Sequence, residues 1–360
     1  MADFFPIIEL KGNHYDMGVV HGRALAREIR ANLNLYYDMV KGLTALEPDS
    51  CLARAGRYID TLETKTPELL EEMHGIAKGA QVTLEEILFL NARSELMSMS
   101  AESGVTSGEC TTIGLAARRT RGGNPIIAQN WDWHERVRHT TAVFRSNPTD
   151  GPAAVFYAEA GQVGKIGFNE NGVGVVFNFL TTGEVSYALP VHVLLRMILN
   201  AKDAVEATAM IKGADRGGTV HFLIGDRSGH IRGLELTPQE AIEFRPEDGV
   251  IHHTNHYCDP KLSEKDAGRL LMVDTTVRYD RAAALISARE QWDNQSLSEI
   301  FSDHDNHPAS ICRHVRASDP EFLHMVTVAS IIIDLAARKM LISCGQPCKS
   351  AYREIALVPA

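Results

Sequence analysis

The spacing of apolar residues changes about a third of the way along the chain. Between residues 17 and 99, apolar positions recur at the helical period of about 3.6 residues, and one such amphipathic run begins at residues 22–29. Thr83 and Glu86 stand three residues apart at the start of an apolar run, which is the spacing of a helix capping box. The pattern predicts a first third that is largely helical.

After residue 110, short apolar stretches alternate with turns that contain glycine and asparagine. The turns lie at residues 121–125, 169–172 and 225–230. Apolar runs bounded by such turns are typical of β-hairpins. Strands are predicted at 125–130 and 172–179, and helices at 190–213 and 278–290. Strands that are followed by helices and then by further strands indicate a layered α+β sandwich.

Charge and hydropathy exclude several classes of partner. The 360 residues include 46 acidic and 36 basic side chains, which gives a formal net charge of −10. Lys and Arg form no run that would suit phosphate, so nucleic acid and anionic membranes are not expected as partners. No apolar segment reaches the roughly 18 residues of a membrane span. Asp3 stands where a signal peptide needs a basic residue, so the predicted compartment is the cytoplasm.

Two stretches rich in histidine raise the question of a metal. They contain His252, His253 and His256 in the first, and Asp303, His304, Asp305 and His307 in the second. The first stretch is predicted to be strand and loop, so the helical spacing of a zinc motif does not apply, and its histidines are interpreted as pocket walls or hydrogen-bonded core groups. The six cysteines form no C-x-x-C pair and are predicted to be free thiols. We expect no metal and no organic cofactor.

Cys110 has an unusual position for a structural thiol. It directly follows the polar segment from Ser100 to Glu109, which is predicted to be an exposed linker, and it precedes an apolar strand. A thiol is nucleophilic near neutral pH, and an adjacent amine can serve as its base. Cleavage of the bond before Cys110 would create such an amine, with a reference pKa of about 7.7–8.0. From the residues alone, a buried structural cysteine remains the alternative.

Three motifs occur in the order found in the acyl-coenzyme A:6-aminopenicillanic acid acyltransferase family, which this chain resembles. They are Glu109-Cys110-Thr111-Thr112, Gln129-Asn130-Trp131-Asp132-Trp133 and His253-Thr254-Asn255-His256. Residues 12–22 and 310–347 are similar to the terminal regions of that family. The resemblance implies a four-layer αββα N-terminal-nucleophile (Ntn) hydrolase fold with a helical N-terminal segment. It also implies autoproteolysis between Glu109 and Cys110, giving fragments 1–109 and 110–360 that stay together as one structural domain.

The same resemblance implies roles for individual side chains. Cys110 matches the nucleophile, and Asp132 matches the aspartate that orients the new amine. Asn255 matches the asparagine whose side-chain amide donates a hydrogen bond to the tetrahedral oxyanion. Trp133 and Phe177 are expected to line the substrate pocket together with the end of the first fragment.

Residues 167–179 are similar to the related bile-salt and penicillin V hydrolases. There the asparagine that matches Asn178 is a second oxyanion or substrate contact. Arg278 matches an active-site arginine of these enzymes, a permanent cation that favours the thiolate, although the alignment leaves Arg281 as an alternative. Arg313 is a third candidate, for which a surface or structural salt bridge is expected.

The predicted activity is hydrolysis of a small N-acyl amide through a thioester on Cys110. Acyl transfer to an amine uses the same acyl-enzyme and remains an alternative. A protein of another class, which stays uncleaved and binds a small molecule or presents a reactive thiol, is the third hypothesis. The expected partners are the amide substrate and the bound first fragment, and a homo-oligomer is left open.

Overall fold

Two β-sheets face each other in this protein. The computed structural model describes residues 4–44, 46–100, 109–316, 318–319, 321 and 324–357. Strands β2 to β14 in the second part of the chain are β2 (Glu109–Leu115), β3 (Ile126–His134), β4 (Thr141–Pro148), β5 (Ala154–Glu159), β6 (Ile166–Asn169), β7 (Gly174–Phe179), β8 (Val220–Gly225), β9 (Ile231–Leu236), β10 (Ala241–Phe244), β11 (Val250–His253), β12 (Met325–Asp334), β13 (Lys339–Cys344) and β14 (Tyr352–Ala356).

The first third of the chain is helical, as predicted. It begins with one strand, β1 (Ile7–Gly12). The helices after it are α1 (His14–Ala24), α2 (Ala26–Thr44), α3 (Pro48–Ala55), α4 (Ile59–Lys65), α5 (Pro67–Ala80), α6 (Leu84–Asn91) and α7 (Arg93–Ser100). Thr83 caps α6, and both hydrogen bonds of its capping box with Glu86 are present.

Helices of the second part cover the outer faces of the two sheets. They are α8 (Val191–Leu199), α9 (Ala204–Gly213), α10 (Pro260–Ser263), α11 (Gly268–Leu271), α12 (Thr275–Ser287) and α13 (Asn294–Phe301). The larger sheet has the strand order β1-β4-β5-β6-β7-β8-β9-β10, and the smaller has β11-β2-β3-β12-β13-β14. α8 and α9 pack on the larger sheet, α12 and α13 on the smaller, and β2 and β3 pack against β7 and β8 between them. This αββα arrangement confirms the predicted layers.

The predicted hairpin turns connect antiparallel neighbours, namely β2 with β3, β6 with β7, and β8 with β9. Gly172 and Gly229 adopt φ values of 81° and 94° in two of these turns, a region that glycine enters without steric cost. The linker predicted from Ser100 to Glu109 is shorter at both ends, because Ser100 belongs to α7 and Glu109 pairs with Asp132 in the sheet. The intervening residues 101–108 lie outside the described part of the chain.

Helices α1 and α5 touch through their backbones. The contact is made by Gly18 and Gly22 on α1 and by Gly75 and Gly79 on α5. A Cβ atom on Gly75 would lie 2.1 Å from the carbonyl oxygen of Tyr15, and one on Gly18 would lie 2.1 Å from that of Glu72. Since backbone atoms at such a contact cannot move independently, only glycine permits this packing.

We therefore expect Gly75→Ala to lower the free energy of unfolding by about 1–3 kcal/mol or more, the range for overpacked sites. Gly42→Ala is the matched control, because Gly42 also lies in a helix but has open space around it. That control should leave the protein unchanged or stabilise it by up to about 1 kcal/mol. Urea unfolding of both variants measures the difference, and equal stabilities would contradict the backbone contact.

Candidate active site

The Cys110 backbone lies where one neighbouring strand ends. β11 pairs with β2 only as far as His253, which faces Thr112, so the amide of Cys110 extends past the end of β11. The side chain of Asn255 takes the place of that strand, and its Oδ1 accepts the Cys110 N–H at 2.7 Å. A buried N–H needs such a partner, since leaving it unpaired would cost about 1–3 kcal/mol.

Two further side chains bind the carbonyl oxygen of Cys110. Arg278 donates to it from Nη1 at 2.8 Å, and Asn178 donates from Nδ2 at 3.1 Å. Arg278 and Asn178 are both fully buried. Asn255, Asn178 and Arg278, the site residues predicted from the sequence, therefore meet on the two backbone polar groups of one residue, Cys110.

Arg278, and not Arg281, is the arginine that contacts Cys110. The two are three residues apart on α12, but Arg281 pairs with Asp303 at the surface. Arg278 also donates from Nε to Asp274 at 2.7 Å, and Arg313 forms an ion pair with the same carboxylate. The salt bridge expected for Arg313 is present, and it lies within the site because Asp274 links it to Arg278.

Asn255 has a fixed amide orientation. Its Oδ1 accepts from both Cys110 N and Arg278 Nη2, the latter at 3.0 Å, so the oxygen must face these two donors. Its Nδ2 donates to the carbonyl of Phe179 at 3.0 Å. In this chain the amide nitrogen therefore has a backbone partner, while the oxygen faces the nitrogen of Cys110.

Asn178 is fixed by a row of buried groups on the inner face. Its Oδ1 accepts from Thr112 at 2.7 Å and lies 2.9 Å from His221 Nδ1. The His221 ring stacks on His253 with centroids 3.8 Å apart, and His253 binds Glu235 at 2.8 Å. Burial lowers the pKa of His221 well below its ordinary value, which leaves the ring neutral. No pattern in the sequence indicated that Thr112, His221 or Glu235 would be neighbours of Asn178.

The Cys110 thiol is buried and protonated. Burial, with the Asp132 carboxylate nearby, raises its pKa to about 12. Cys110 pairs with Trp131 across the sheet, so its side chain shares the inner face with Trp131, whereas the next residue, Asp132, points to the outer face. A thiol of this pKa needs a base before it can act as a nucleophile.

Asp132 points to the outer face of the smaller sheet, one residue after the partner of Cys110 and beside a β-bulge in β12. Its Oδ1 accepts from Thr327 at 2.7 Å, and the ladder shifts register between Thr327 and Ala329. Among the described residues its Oδ2 has no hydrogen-bond partner. Burial raises the pKa of Asp132 to about 7, and the Arg278 charge opposes this shift. The carboxyl group can therefore exchange a proton near neutral pH.

Glu159 lies at the centre of a buried cluster of charges that was not predicted from the sequence. Its carboxylate accepts hydrogen bonds from Tyr36 OH, from Arg93 at 2.5 Å and from Lys165 at 2.6 Å. The two cations hold the pKa of Glu159 well below its usual range despite its burial. One signal was present in the sequence, since Glu159 and Lys165 are the only charged residues between positions 153 and 169.

Trp133 and Phe177, the predicted pocket residues, are buried beside this cluster. Trp133 donates from Nε1 to Tyr36 OH at 2.8 Å, and the Arg93 guanidinium lies 4.5 Å from its ring centroid. Lys165 Nζ lies 3.3 Å from the ring centroid of Trp131, the partner of Cys110, and 5.9 Å from that of Phe177. The side chains from the first third thus reach the inner face close to Cys110.

A cavity of about 670 Å³ opens beyond His253, between α12 and the strands near β10. His252, His253 and Tyr279 contribute to its wall, and Cys110 does not. His256 is hydrogen-bonded to Thr275 at 3.0 Å. These positions agree with the interpretation of the three histidines as pocket walls or hydrogen-bonded core groups.

A solved structure supports the fold class. A variant of conjugated bile acid hydrolase from Clostridium perfringens superposes with a TM-score of 0.50 at 18% identity, over 68% of this chain and 92% of that one. Penicillin V acylase from Agrobacterium tumefaciens gives a TM-score of 0.47 at 14% identity, over 69% and 86% of the two chains. The superposition on the bile acid hydrolase confirms the predicted αββα Ntn-hydrolase fold.

The sequence comparisons identify the family. The profile of the acyl-coenzyme A:6-aminopenicillanic acid acyl-transferase family matches residues 119–349, and the chain belongs to this family. The 40 kDa form of acyl-coenzyme A:6-aminopenicillanic-acid-acyltransferase from Emericella nidulans is 26% identical over 347 residues, which cover 94% of this chain and 92% of the relative. In the described part of the chain, no helix is long and apolar enough to cross a membrane.

The hydrogen bonds of Arg278 give a direct test of the site's structure. We expect Arg278→Met to lower the free energy of unfolding by about 3 kcal/mol or more, because the buried Cys110 carbonyl and Asp274 each lose a charged partner. Arg281→Met removes only a partly exposed ion pair from the same helix and should cost less than about 1 kcal/mol. Urea unfolding of both variants provides the comparison, and similar losses would contradict the special position of Arg278.

Proposed function

We propose that this chain is the precursor of a cysteine Ntn amidase. It cuts itself between Glu109 and Cys110 and then uses Cys110 to attack the amide bond of a small N-acyl compound. The observation that carries the proposal is the fixation of Cys110, whose N–H is bound by Asn255 and whose carbonyl is bound by Arg278 and Asn178. A structural cysteine within a strand does not need three side chains bound to its backbone. A residue that becomes a new chain end does need them, because it must keep its position after the bond before it is cut.

The reactants of self-cleavage are the Cys110 thiol, the peptide bond before it and one water molecule. The Cys110 sulfur attacks the carbonyl carbon of Glu109, the C–N bond breaks, and the thiol proton passes to the nitrogen, which becomes an α-amine. The acyl group is then a thioester on the sulfur. Water hydrolyses this thioester, which leaves a carboxylate on Glu109 and a free thiol on Cys110.

The new amine supplies the base that the buried thiol lacks. Its reference pKa is about 7.7–8.0, so it can take the thiol proton near neutral pH. The Oδ1 of Asn255 already faces this nitrogen. Asp132 belongs to the cross-strand residue pair next to that of Cys110, and its Oδ2 accepts no hydrogen bond from the described residues.

Asn255 Nδ2 has a second proton besides the one that it donates to Phe179, and it donates this proton to the oxyanion of the substrate. Asn178, predicted as a second oxyanion or substrate contact, uses both of its N–H groups on the carbonyls of Cys110 and His253, so it holds Cys110 in place. The amine then protonates the leaving group, and water releases the acid. Trp133 and Phe177 form part of the pocket.

The two fragments stay bound after cleavage in this proposal. β1 from fragment 1–109 pairs in parallel with β4 from fragment 110–360, so the first fragment forms the edge of the larger sheet. Tyr36 and Arg93 contribute to the buried cluster around Glu159, and Glu72 pairs with Arg196, which is equally buried. Separation of the fragments would leave these charges without partners, at a cost of about 3–5 kcal/mol for one pair.

Acyl transfer to an amine is the second candidate function. It is favoured by the Emericella nidulans relative, which is named as an acyltransferase and aligns with nearly the whole chain. Both reactions share the thioester on Cys110 and differ only in whether water or an amine attacks it. Hydrolysis prevails wherever the site does not exclude water.

Intact-protein mass spectrometry under denaturing conditions tests the cleavage. We expect two species, residues 1–109 and 110–360, whose masses add up to the mass of the chain plus one water. Cys110→Ala should remain whole, and Cys110→Ser should cleave slowly because a hydroxyl can also accept the acyl group. Cys51→Ala is the matched control, a buried cysteine far along the chain, and should be cleaved normally.

Gel filtration under native conditions should show both fragments in one peak. A wild-type chain that stays whole on incubation would contradict the proposal and favour the hypothesis of an uncleaved binding or thiol-reactive protein. Full activity of the Cys110→Ala protein would exclude Cys110 as the nucleophile.

Two substitutions of Asn255 separate its donor from its acceptor. With an N-acyl amide that the wild-type protein hydrolyses, Asn255→Ala should lower the turnover rate by about 100- to 1,000-fold, the usual loss for one oxyanion donor. Asn255→Asp keeps the acceptor that faces the Cys110 nitrogen but has no N–H to donate, so it should be slow as well. Circular dichroism confirms that both variants are folded, and wild-type turnover in Asn255→Asp would remove the oxyanion role.

A further inference from the structure

Four potential metal ligands converge at one corner of the smaller sheet, far along the chain from the motif around Cys110. His304, Cys312 and His314 lie in the segment after α13, and Cys348 lies in the turn between β13 and β14. Their ligand atoms all lie within 4.8 Å of one another. This group is distinct from the histidines near the cavity, and no step of the proposed amidase reaction uses it.

Four of the distances within the group are close to the edges of a tetrahedral zinc site. Cys312 Sγ and Cys348 Sγ are 3.5 Å apart, and the Nε2 atoms of His304 and His314 are 3.0 Å apart. His314 Nε2 lies 3.7 Å from Cys312 Sγ and 3.5 Å from Cys348 Sγ. With Zn–S of about 2.3 Å and Zn–N of about 2.0–2.1 Å, the edges of a tetrahedron are about 3.8 Å, 3.3 Å and 3.6 Å for S–S, N–N and S–N pairs.

Hydrogen bonds to backbone carbonyls fix the two loops that carry these ligands. The Cys312 N–H donates to the Asp303 carbonyl at 3.0 Å, and the His314 N–H donates to the Pro308 carbonyl at 3.1 Å. On the other side, Ser350 closes the turn that carries Cys348 by donating to the Cys344 carbonyl at 2.8 Å. Two loops that are separate in the sequence are therefore shaped to present four ligand atoms to one point.

We propose that His304, Cys312, His314 and Cys348 bind one Zn²⁺ ion. Two sulfur and two nitrogen ligands in tetrahedral geometry favour zinc among the common metals. Binding displaces the protons of the two thiols, so the ion, two thiolates and two neutral imidazoles together carry no net charge, which suits a partly buried corner. Because the protein supplies all four ligands, the site is structural. The proposal departs from the expectation that the chain needs no metal.

The zinc corner is connected to the candidate active site through Arg313. This residue stands between two of the ligands, and its side chain pairs with Asp274, the carboxylate that also binds Arg278. Its backbone N–H donates to Thr327, which in turn donates to Asp132. The metal thus fixes the loop that carries Arg313 and, through it, the outer face of the site.

Metal analysis of the full, untagged chain, purified without chelators, tests the proposal. We expect about one zinc ion per chain, measured by inductively coupled plasma mass spectrometry. The double variant His304→Ala/Cys348→Ser should lose this zinc, and both of its positions are exposed, so folding should survive. Cys344→Ser and His307→Gln are matched controls outside the group, and both should retain the metal. Cys344 is a second cysteine four residues before Cys348, and the His307 ring contacts that of His314.

Cobalt gives a second measurement that does not depend on activity. Apo-protein with Co²⁺ should show the visible bands of tetrahedral cobalt and a thiolate charge-transfer band, which the double variant should lack and the controls should keep. A chelator should lower the melting temperature of wild type and controls but leave that of the double variant unchanged. Absence of zinc before and after incubation with Zn²⁺, iron in its place, or a Cys312–Cys348 disulfide in the isolated chain would each overturn the proposal.

Discussion

The hydrogen bonds that side chains make to the backbone of Cys110 constrain the structure around it. β11 ends before it can pair with Cys110, so a buried N–H and a buried carbonyl would be left without partners. Asn255, Asn178 and Arg278 satisfy them. Side chains thus take the place of a strand here, and the position of Cys110 does not depend on backbone hydrogen bonds to β11.

Burying these side chains requires further partners, and this requirement extends the network across the molecule. Arg278 carries a charge into the interior, and Asp274 neutralises it while pairing also with Arg313. On the inner face, Glu159 forms ion pairs with both Arg93 and Lys165. Because Arg93 comes from the helical first third and Glu159 from the larger sheet, this second set of charges also joins the regions on either side of Cys110.

The zinc corner extends the outer part of this network to the far edge of the smaller sheet. Arg313 lies between Cys312 and His314, so any displacement of that loop would move the partner of Asp274. A domain of this size has a large core and does not depend on a metal for folding. The metal's effect is local, since three of its four ligands lie within residues 304–314, a stretch that contains neither helix nor strand and few apolar residues.

The sequence by itself determined the features that depend on neighbours along the chain. The helical period of the first third, the capping box at Thr83 and the glycine turns of the hairpins were all predictable, because each reflects the conformational preference of a few adjacent residues. The motifs also indicated Cys110, Asn178 and Asn255 through a family resemblance. Tertiary structure alone decided between Arg278 and Arg281, turned the Asn255 oxygen toward Cys110, and gathered the Glu159 cluster and the four ligands that include Cys312 and Cys348. These contacts join residues far apart in sequence, and their geometry follows from how sheets and helices pack.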